Sequence, residues 1–278
     1  MNYELKKAAL INDLSGYGRC SLAVMLPVIS AAGVQGVCMP TALLSTHTGG
    51  YEGYSYYDAG PQLEGFIKHY EELGIKFDAV FTGYLGGPGQ FGPVGEFLAR
   101  QKDMGALIIV DPVLGDDGAA YSGIGEDMRL GMRELAARAD FVTPNMTEAF
   151  FLADMPYLPP PYDMKTAERL MEGILTLGAR SAAITGLSLD DGRYGVMYAG
   201  KGINPGFIEV KRFSTDYPGT GDVFCAVTGA RMMGGASVPA AVTEAASFLS
   251  KVIQYTVKAG TPPREGLLFE KFLGEICK

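Results

Sequence analysis

Residues 106–113 read ALIIVDPV, and this stretch decides the fold class that the sequence predicts. An almost wholly apolar run that ends at Asp111 and Pro112 is typical of a strand buried on both faces, as the strands of parallel sheets are. Segments with helical periodicity lie on either side of it, at 92–105 and 126–138. Because parallel strands need a crossover connection, the stretch predicts an α/β protein with a parallel sheet.

The same alternation of strand-like and helix-like segments runs through most of the chain. Strands are predicted at 8–13, 34–44, 78–85, 106–113, 140–145 and 181–187, and helices at 21–33, 61–74, 92–105, 126–138, 146–153 and 165–178. This order predicts a doubly wound, mostly parallel sheet with helices on both faces.

The last third of the chain departs from the alternation. Consecutive strand-like segments at 191–200 and 206–213, separated by turn residues, predict a small antiparallel edge. Two long helices are predicted after them, at about 221–234 and 238–258. One long irregular stretch is expected, 45–60, which carries four tyrosines between positions 51 and 57. Since no linker or repeat divides the chain, a single domain is expected over 1–278.

The composition indicates a soluble protein. Of the 278 residues, 47% are hydrophobic and 19% charged, and the net charge of −8 argues against a nucleic-acid or anionic-membrane partner. No apolar run reaches the roughly 18 residues of a membrane span, and the first residues do not resemble a secretion signal. The four cysteines are scattered without a C-x-x-C pair, which is unlike a zinc site or a disulfide framework. A cytoplasmic protein with reduced thiols is expected.

Polar residues follow or end the predicted strands. In doubly wound sheets ligands bind beyond the carboxyl ends of the strands, so these residues are expected at one rim. They are Asp13, Thr46 to Thr48, Thr82 to Tyr84, Asp111, Thr143 to Asn145, and Thr185.

The segment PGTGD, at 218–222, comes directly before a predicted helix. Helix N-termini present unpaired amides with a partial positive charge, and glycines let those amides approach a phosphate closely. Asp222 could then accept a hydrogen bond from an alcohol and align it for attack on a phosphoryl group. We expect the helix dipole to lower the pKa of Asp222. The alternative is an ordinary capped turn with an acid in the first helical turn.

Other polar residues on the predicted rim allow two interpretations each. Asp111 and Asp116 are suitable Mg²⁺ ligands or members of an acidic surface turn. Asn145 and Glu148 form either a capping box or a site where Glu148 holds a metal-bound water and Asn145 lies near phosphates. Thr185 could donate to a phosphate or simply end a strand. His47 could contact substrate or pack in its loop, and the tyrosines at 51–57 are either a lid or part of a surface hairpin.

Motifs of several other enzyme classes are missing. The chain has no G-x-x-x-x-G-K-[ST] segment, and SGYG at 15–18 lacks the third spaced glycine of a dinucleotide fingerprint. With two histidines and no G-x-S-x-G, a Ser-His-Asp hydrolase has little support. A ligand-binding protein that kept the fold without catalysis is a further alternative, which the intact acids argue against.

Together the motifs resemble those of the ribokinase-like kinases. YPGTGDVF, DPVLGDDG, TPNMTEA, ITG and STHTGGY occur in that family's order and at about its separations. Within the family, STHTGGY and GYLG (83–86) resemble the vitamin B6 kinases. The resemblance implies an ATP-dependent kinase that phosphorylates the 5′-hydroxymethyl group of pyridoxal, pyridoxamine or pyridoxine. It also implies Mg²⁺, a monovalent cation (K⁺ or Na⁺) and a homodimer.

The resemblance also implies a role for each matching residue. Asp222 would be the catalytic aspartate that faces the substrate alcohol, with the amides of Gly219, Thr220 and Gly221 as the anion hole. The remaining roles are Asp116 and Glu148 for Mg²⁺; Asp111, Thr143 and Thr185 around the monovalent cation; Asn145 and Thr220 at the nucleotide; and Thr48 at the pyridine ring.

The segment NDLSGYG, at 12–18, departs from the B6 kinase pattern. Asp13 stands where many pyridoxal kinases have serine, and the segment is closer to the D-x-S-G-G of hydroxymethylpyrimidine kinases. A carboxylate at this substrate position could favour a ring with a protonated amine or nitrogen. Hydroxymethylpyrimidine (phosphate) kinase of thiamine biosynthesis, or another small-alcohol kinase of the family, is therefore the alternative activity.

Overall fold

A computed structural model describes residues 5–277. Residues 1–4 and 278 lie outside this range. The predicted domain includes all five of them, and the expectation that the chain does not start with a secretion signal includes the first four. The strands are β1 (Lys7–Tyr17), β2 (Gln35–Thr46), β3 (Tyr56–Asp58), β4 (Ala79–Thr82), β5 (Leu107–Val110), β6 (Gly115–Asp116), β7 (Ala119–Ala120), β8 (Phe141–Val142), β9 (Ser181–Ser188), β10 (Tyr194–Gly200) and β11 (Ile203–Glu209).

Helices connect the strands in the predicted alternation. They are α1 (Ser21–Ala31), α2 (Gly60–Glu72), α3 (Phe91–Asp103), α4 (Glu126–Arg138), α5 (Met146–Ala153), α6 (Met164–Leu177), α7 (Thr220–Met233), α8 (Val238–Ala259) and α9 (Leu273–Ile276). The longest, α8, has 22 residues. Among the helices of residues 5–277, none combines the length and apolar character needed to cross a bilayer.

Within the described residues, the main sheet has nine strands in the order β11-β10-β9-β8-β5-β4-β1-β2-β3. The six strands from β9 to β2 in this order are parallel to one another, while β10 is antiparallel to both β9 and β11. This confirms the doubly wound α/β fold and its antiparallel edge.

The opposite edge of the sheet was not predicted. β3 pairs antiparallel with β2 through Ala42 to Leu44, so the prediction that 45–60 is irregular throughout was wrong. All three residues of β3 are exposed, which leaves no alternation of buried and exposed positions that a sequence pattern could reveal. The strands β6 and β7, which form a small hairpin after β5, were also not predicted. With two residues each, they are too short to show an alternating pattern.

Successive residues of the central strands enter two different cores. Ile11, Val80 and Ile108 pack in the core on one face, which also contains side chains of α2 to α6. Leu10 and Ile109 pack in the core on the other face, with side chains of α1, α7 and α8. Burial on both faces explains why these strands are apolar at nearly every position.

Helix α7 lies close to the sheet. A Cβ atom at Gly229 would be 2.2 Å from the ring of Phe81 in β4, so only a residue without a side chain permits this approach. The small, apolar inner face of α7 therefore brings its N-terminus down onto the rim where the parallel strands end.

Candidate active site

The turn before α7 has the form expected of an anion site. Gly219, at the N-cap position, has a left-handed backbone with φ of 80°. A Cβ atom there would be 2.1 Å from the carbonyl oxygen of Arg19, so glycine is required sterically as well as conformationally. The Thr220 hydroxyl donates to the Tyr217 carbonyl and closes the turn. The backbone amides of Thr220 and Gly221, rather than the threonine hydroxyl, are thus the groups suited to an anion.

Asp222 lies in the first turn of α7 and joins this helix to the middle of β1 and to the start of α1. Its Oδ2 accepts a hydrogen bond from the Ser21 amide at 2.7 Å. Its Oδ1 accepts from Nδ2 of Asn12 at 3.2 Å. Ser21 adopts a positive φ of 52°, which is uncommon for a residue with a side chain. The two donors hold the carboxylate in a defined orientation.

Burial raises the pKa of Asp222 to about 6, and the nearby Asp13 carboxylate contributes to the increase. The hydrogen bonds from Ser21 and Asn12 act in the opposite direction but do not compensate. The predicted lowering of this pKa was therefore wrong, because loss of hydration outweighs the partial positive charge of the helix N-terminus. At neutral pH the group is ionised, yet it binds a proton more tightly than a surface carboxylate.

Asp111 and Thr143 lie beside Asp222 at the ends of β5 and β8. The Thr143 hydroxyl donates to Oδ1 of Asp111 at 3.0 Å. A Cβ atom at Gly221 would be 3.7 Å from Oδ2 of Asp111, which places this carboxylate against the first turn of α7. The structure thus joins the predicted cation residues to the predicted anion turn.

Asn145 and Glu148 form the capping box of α5. The Glu148 amide donates to Oδ1 of Asn145 at 2.9 Å, and the Asn145 amide donates to Oε2 of Glu148 at 2.8 Å. Oε1 of Glu148 also accepts from the Leu114 amide at 3.2 Å. The capping interpretation is confirmed, and a contact between Glu148 and a metal-bound water would have to use its remaining lone pairs.

The small hairpin β6–β7 is fastened to α5. Nδ2 of Asn145 donates to the Gly115 carbonyl at 2.8 Å, and the Gly118 amide donates to the Thr147 hydroxyl at 2.9 Å. Asp116 is exposed on this hairpin, and its Oδ1 accepts from the Asp117 amide. Thr185 forms a bridge with Asn145, and its hydroxyl donates to the Pro144 carbonyl.

Three acids on the rim, Asp111, Asp116 and Glu148, have raised pKa values. Burial raises the pKa of Asp111, and the charge of Asp222 adds to the effect. Burial also raises the pKa of Glu148, with Asp111 as the next contributor. The pKa of the exposed Asp116 is raised too, by partial loss of hydration and by the neighbouring charges of Asp117 and Asp216. Over residues 5–277, no three Asp, Glu, His or Cys side chains form a metal site by themselves. The set fits Mg²⁺ in its usual enzyme role, in which one or two carboxylates and substrate phosphates hold the ion.

Asp13 is a second carboxylate close to Asp222. It is buried, its Oδ2 accepts from the Ser15 hydroxyl at 2.9 Å, and burial raises its pKa. Its charge acts on both Asp222 and Tyr84, so it lies near the first turn of α7 and near the segment after β4.

His47 is buried in the loop after β2, where its ring contacts other residues of the protein. Nδ1 of His47 accepts from the Gly49 amide at 3.1 Å, and Nε2 donates to the Arg264 carbonyl at 2.7 Å. Its ring packs edge-on against Tyr51, with centroids 5.1 Å apart. Thr48 is exposed in the same turn.

Comparison with known proteins places this geometry in a family. The profile described as Phosphomethylpyrimidine kinase matches residues 26–265. The chain belongs to this phosphomethylpyrimidine kinase family. It is a phosphotransferase that acts on an alcohol, and its resemblance to the ribokinase-like vitamin B6 kinases is confirmed.

Three relatives of this phosphomethylpyrimidine kinase family member show the extent of the match. A Bacteroides thetaiotaomicron structure, provisionally described as a phosphomethylpyrimidine kinase in a crystal form with pyridoxal, is 36% identical with a TM-score of 0.93, over 99% of this chain and 96% of that chain. The pyridoxal kinase structure of Lactobacillus plantarum is 29% identical with a TM-score of 0.89, over 98% and 97%. A pyridoxine/pyridoxal/pyridoxamine kinase of Bordetella avium is 29% identical over 253 residues, 86% of this chain and 82% of the relative.

The sequence motifs did not indicate that Asn12 belongs to the site of this phosphomethylpyrimidine kinase family member. Asn12 is 1% exposed, and its Oδ1 accepts from the amides of Asp13 at 2.9 Å and Tyr84 at 2.8 Å. A signal was present, since an asparagine that directly follows an apolar run in a buried strand needs buried hydrogen-bond partners. Its partner Asp222 is more than 200 positions away along the chain, however, and no local pattern reveals it.

Proposed function

We propose that the protein transfers the terminal phosphoryl group of ATP to the 5′-hydroxymethyl group of a vitamin B6 vitamer. The observation that carries the proposal is the placement of Asp222, which is held by Ser21 and Asn12 and lies near both Asp13 and Asp111. The relatives named for B6 vitamers, and the one crystallised with pyridoxal, support this substrate class.

The proposed reaction assigns one task to each part of the rim. Asp222 orients the substrate alcohol and accepts its proton, the alcohol oxygen bonds to the γ-phosphorus, and the bond to the β–γ bridging oxygen breaks to release ADP. The amides of Thr220 and Gly221 face the oxygens of the phosphoryl group during transfer. Asn145, Glu148, Thr185 and Thr220 are proposed at the nucleotide, and Asp13 and Thr48 at the pyridine ring.

We further propose that Asp116 and Glu148 hold Mg²⁺, and that Asp111, Thr143 and Thr185 adjoin a monovalent cation. When bound, these cations would neutralise charge on the phosphates. The raised pKa values of Asp111 and Glu148 support this, because buried carboxylates that oppose one another's ionisation favour a cation.

Hydroxymethylpyrimidine (phosphate) is the second candidate substrate. Two observations favour it: the description of the matching family, and Asp13 within NDLSGYG. Asp13 is also the group expected to favour a ring with a protonated amine or nitrogen, which bears on the choice among the three B6 vitamers.

A side-by-side kinase assay tests the proposal. Purified protein is supplied with ATP, Mg²⁺ and, separately, pyridoxal, pyridoxine, pyridoxamine, hydroxymethylpyrimidine or ribose. We expect kcat/KM to be highest for one of the B6 vitamers. A higher value for hydroxymethylpyrimidine would establish the second candidate, and no phosphorylated alcohol above the no-enzyme background would reject both.

We also propose that the protein acts in the cytoplasm as a homodimer, as the resemblance implies. A row of apolar side chains supports dimerisation: Leu14, Leu43 and Tyr57 are register partners across β1, β2 and β3. They are 41%, 41% and 55% exposed. A second copy of the chain related by a two-fold axis would cover such a row with the same row of its own.

A further inference from the structure

The Asn12 side chain joins β1 to three other parts of the fold. It lies where the pairing of β1 with β2 changes register, between Asn12 and Leu14. From there its amide reaches the Tyr84 backbone after β4 and the Asp222 carboxylate on α7. It also contacts the sulfur of Met25 on α1 at 3.4 Å.

Two backbone donors determine which way this amide points. Oδ1 accepts from the amides of Asp13 and Tyr84, and a flipped amide would direct its own N–H groups at both of them. Nδ2 must therefore face Asp222, to which it donates. An asparagine is well suited here, because the position needs an acceptor on one side and a donor on the other.

Gly83 keeps this junction compact. A Cβ atom at Gly83 would be 2.4 Å from Nδ2 of Asn12, so a larger residue would push the amide away from Asp222. The Gly83-Tyr84 segment thus supplies one hydrogen bond to Asn12 and the space in which its amide lies.

We propose that Asn12 is a positioning residue for the phosphoryl transfer: its amide orients the Asp222 carboxylate and ties that orientation to the segment after β4. The inference rests on the proposed function, in which Asp222 accepts the proton of the substrate alcohol. It predicts that changes at Asn12 alter the chemical step and its pH dependence while leaving ATP binding almost unchanged.

Other titratable groups also face Asp222 and remain in place in every variant below. They are Asp13 on β1, Cys20 before α1, Asp111 after β5, Tyr121 after β7 and Cys225 on α7 itself. A change that follows substitution of Asn12 alone is thereby separated from their effects.

The test replaces the amide by a carboxyl group of the same shape. In Asn12→Asp, one oxygen still accepts from the backbone amides, but the other faces Asp222 where Nδ2 now donates. Two carboxyl groups this close share a proton. We expect kcat at pH 7 to fall at least about tenfold, and the acidic limb of the kcat/KM profile to move up by about one pH unit or more. The KM for ATP should stay within about twofold.

Gln90→Glu is the matched control. The Gln90 side chain is also buried, and its amide accepts from the Gly86 amide and donates to the carboxylate of Asp58, without contact to Asp222. We expect both Asn12→Asp and Gln90→Glu to lose thermal stability, and we expect Gln90→Glu to keep the wild-type pH profile. If both variants changed kcat and the pH profile alike, or neither did, the positioning role would be overturned.

A smaller variant and a second measurement guard against misfolding. Asn12→Ser is too short to donate to Asp222, and it should lower kcat about tenfold at an unchanged KM for ATP; wild-type kcat in this variant would contradict the proposal. Should the wild type phosphorylate none of the alcohols, the proposed function fails. The carbon-13 NMR titration of Asp222, compared between wild type and Asn12→Asp, still decides the contact. A higher pKa of Asp222 in Asn12→Asp than in the wild type supports the contact between the two side chains, and identical titration curves refute it.

Discussion

Asp222 combines two properties that are seldom found in one carboxylate: backbone and side-chain donors fix its orientation, and burial raises its pKa. A positioned proton acceptor contributes about 10²–10⁴-fold to turnover. We therefore expect Asp222→Asn to lower kcat by about that factor, while the Kd for nucleotide, measured by calorimetry, changes little. Asp191→Asn is the control, since Asp191 is exposed and ion-paired with Arg193 in the turn after β9. Near-normal turnover in Asp222→Asn would remove Asp222 from the mechanism.

Asp111 is an acid that the fold holds at a cost to stability. Its pKa is raised from 3.8 by burial and by the charge of Asp222. The folded chain consequently binds this proton more tightly than the unfolded chain, so the contribution of Asp111 to the free energy of unfolding falls as the pH rises above about 4. In a buffer free of Mg²⁺, K⁺ and Na⁺, we expect Asp111→Asn to melt at least about 2–4 °C above the wild type at pH 8, a difference of about 1 kcal/mol, and to match it near pH 4.

Cation binding should reverse the advantage of this variant. Mg²⁺ or K⁺ added at pH 8 is expected to raise the Tm of the wild type more than that of Asp111→Asn, because a bound cation stabilises the ionised carboxylate. Differential scanning calorimetry in a buffer free of Mg²⁺, K⁺ and Na⁺, repeated after MgCl₂ or KCl is added, measures both effects. An Asp111→Asn variant less stable than the wild type at pH 8 without cations would show that the ionised Asp111 carboxylate does not destabilise the fold.

At the scale of elements, the junction between the turn before α7 and the end of β1 positions the site. Gly219→Ala would place a methyl group 2.1 Å from the Arg19 carbonyl oxygen, in a left-handed conformation. Gly202→Ala, in the turn between β10 and β11, has a similar φ of 75° and no atom within 4 Å of the added methyl group. We expect the control to lose about 1 kcal/mol of stability and to keep its activity. Gly219→Ala should lose more stability and most of its kcat, because the amides and Asp222 would shift; equal effects in both variants would contradict this.

At the scale of the whole molecule, the apolar row on β1, β2 and β3 predicts a dimer. Light scattering should give twice the chain mass of 29.6 kDa for the wild type. Leu43→Glu places a charge in the centre of the row and should shift the mass toward the monomer. Leu130→Glu, at a residue 53% exposed on α4, should leave it unchanged. A wild-type monomer at micromolar concentration would disprove the homodimer.

Much of the fold and part of the site were predictable because their signals are local. Apolar runs and helical periodicity predicted α4 and α5 at the bounds that the structure shows. The capping box of Asn145 and Glu148 depends on residues three positions apart. Family motifs singled out Asp222 and Asp111 because glycines and acids at short spacings mark an anion turn and a cation site.

The amino-acid sequence by itself determined the order of the parallel strands and of helices α1 to α8, the rim at which those strands end, and the acids that lie there. Tertiary structure alone decided that β3 forms an edge, that burial raises rather than lowers the pKa of Asp222, and that Asn12 orients it. Periodicity and caps act between residues a few positions apart, and so they can be read along the chain. Loss of hydration and hydrogen bonds between distant segments exist only after the chain has packed.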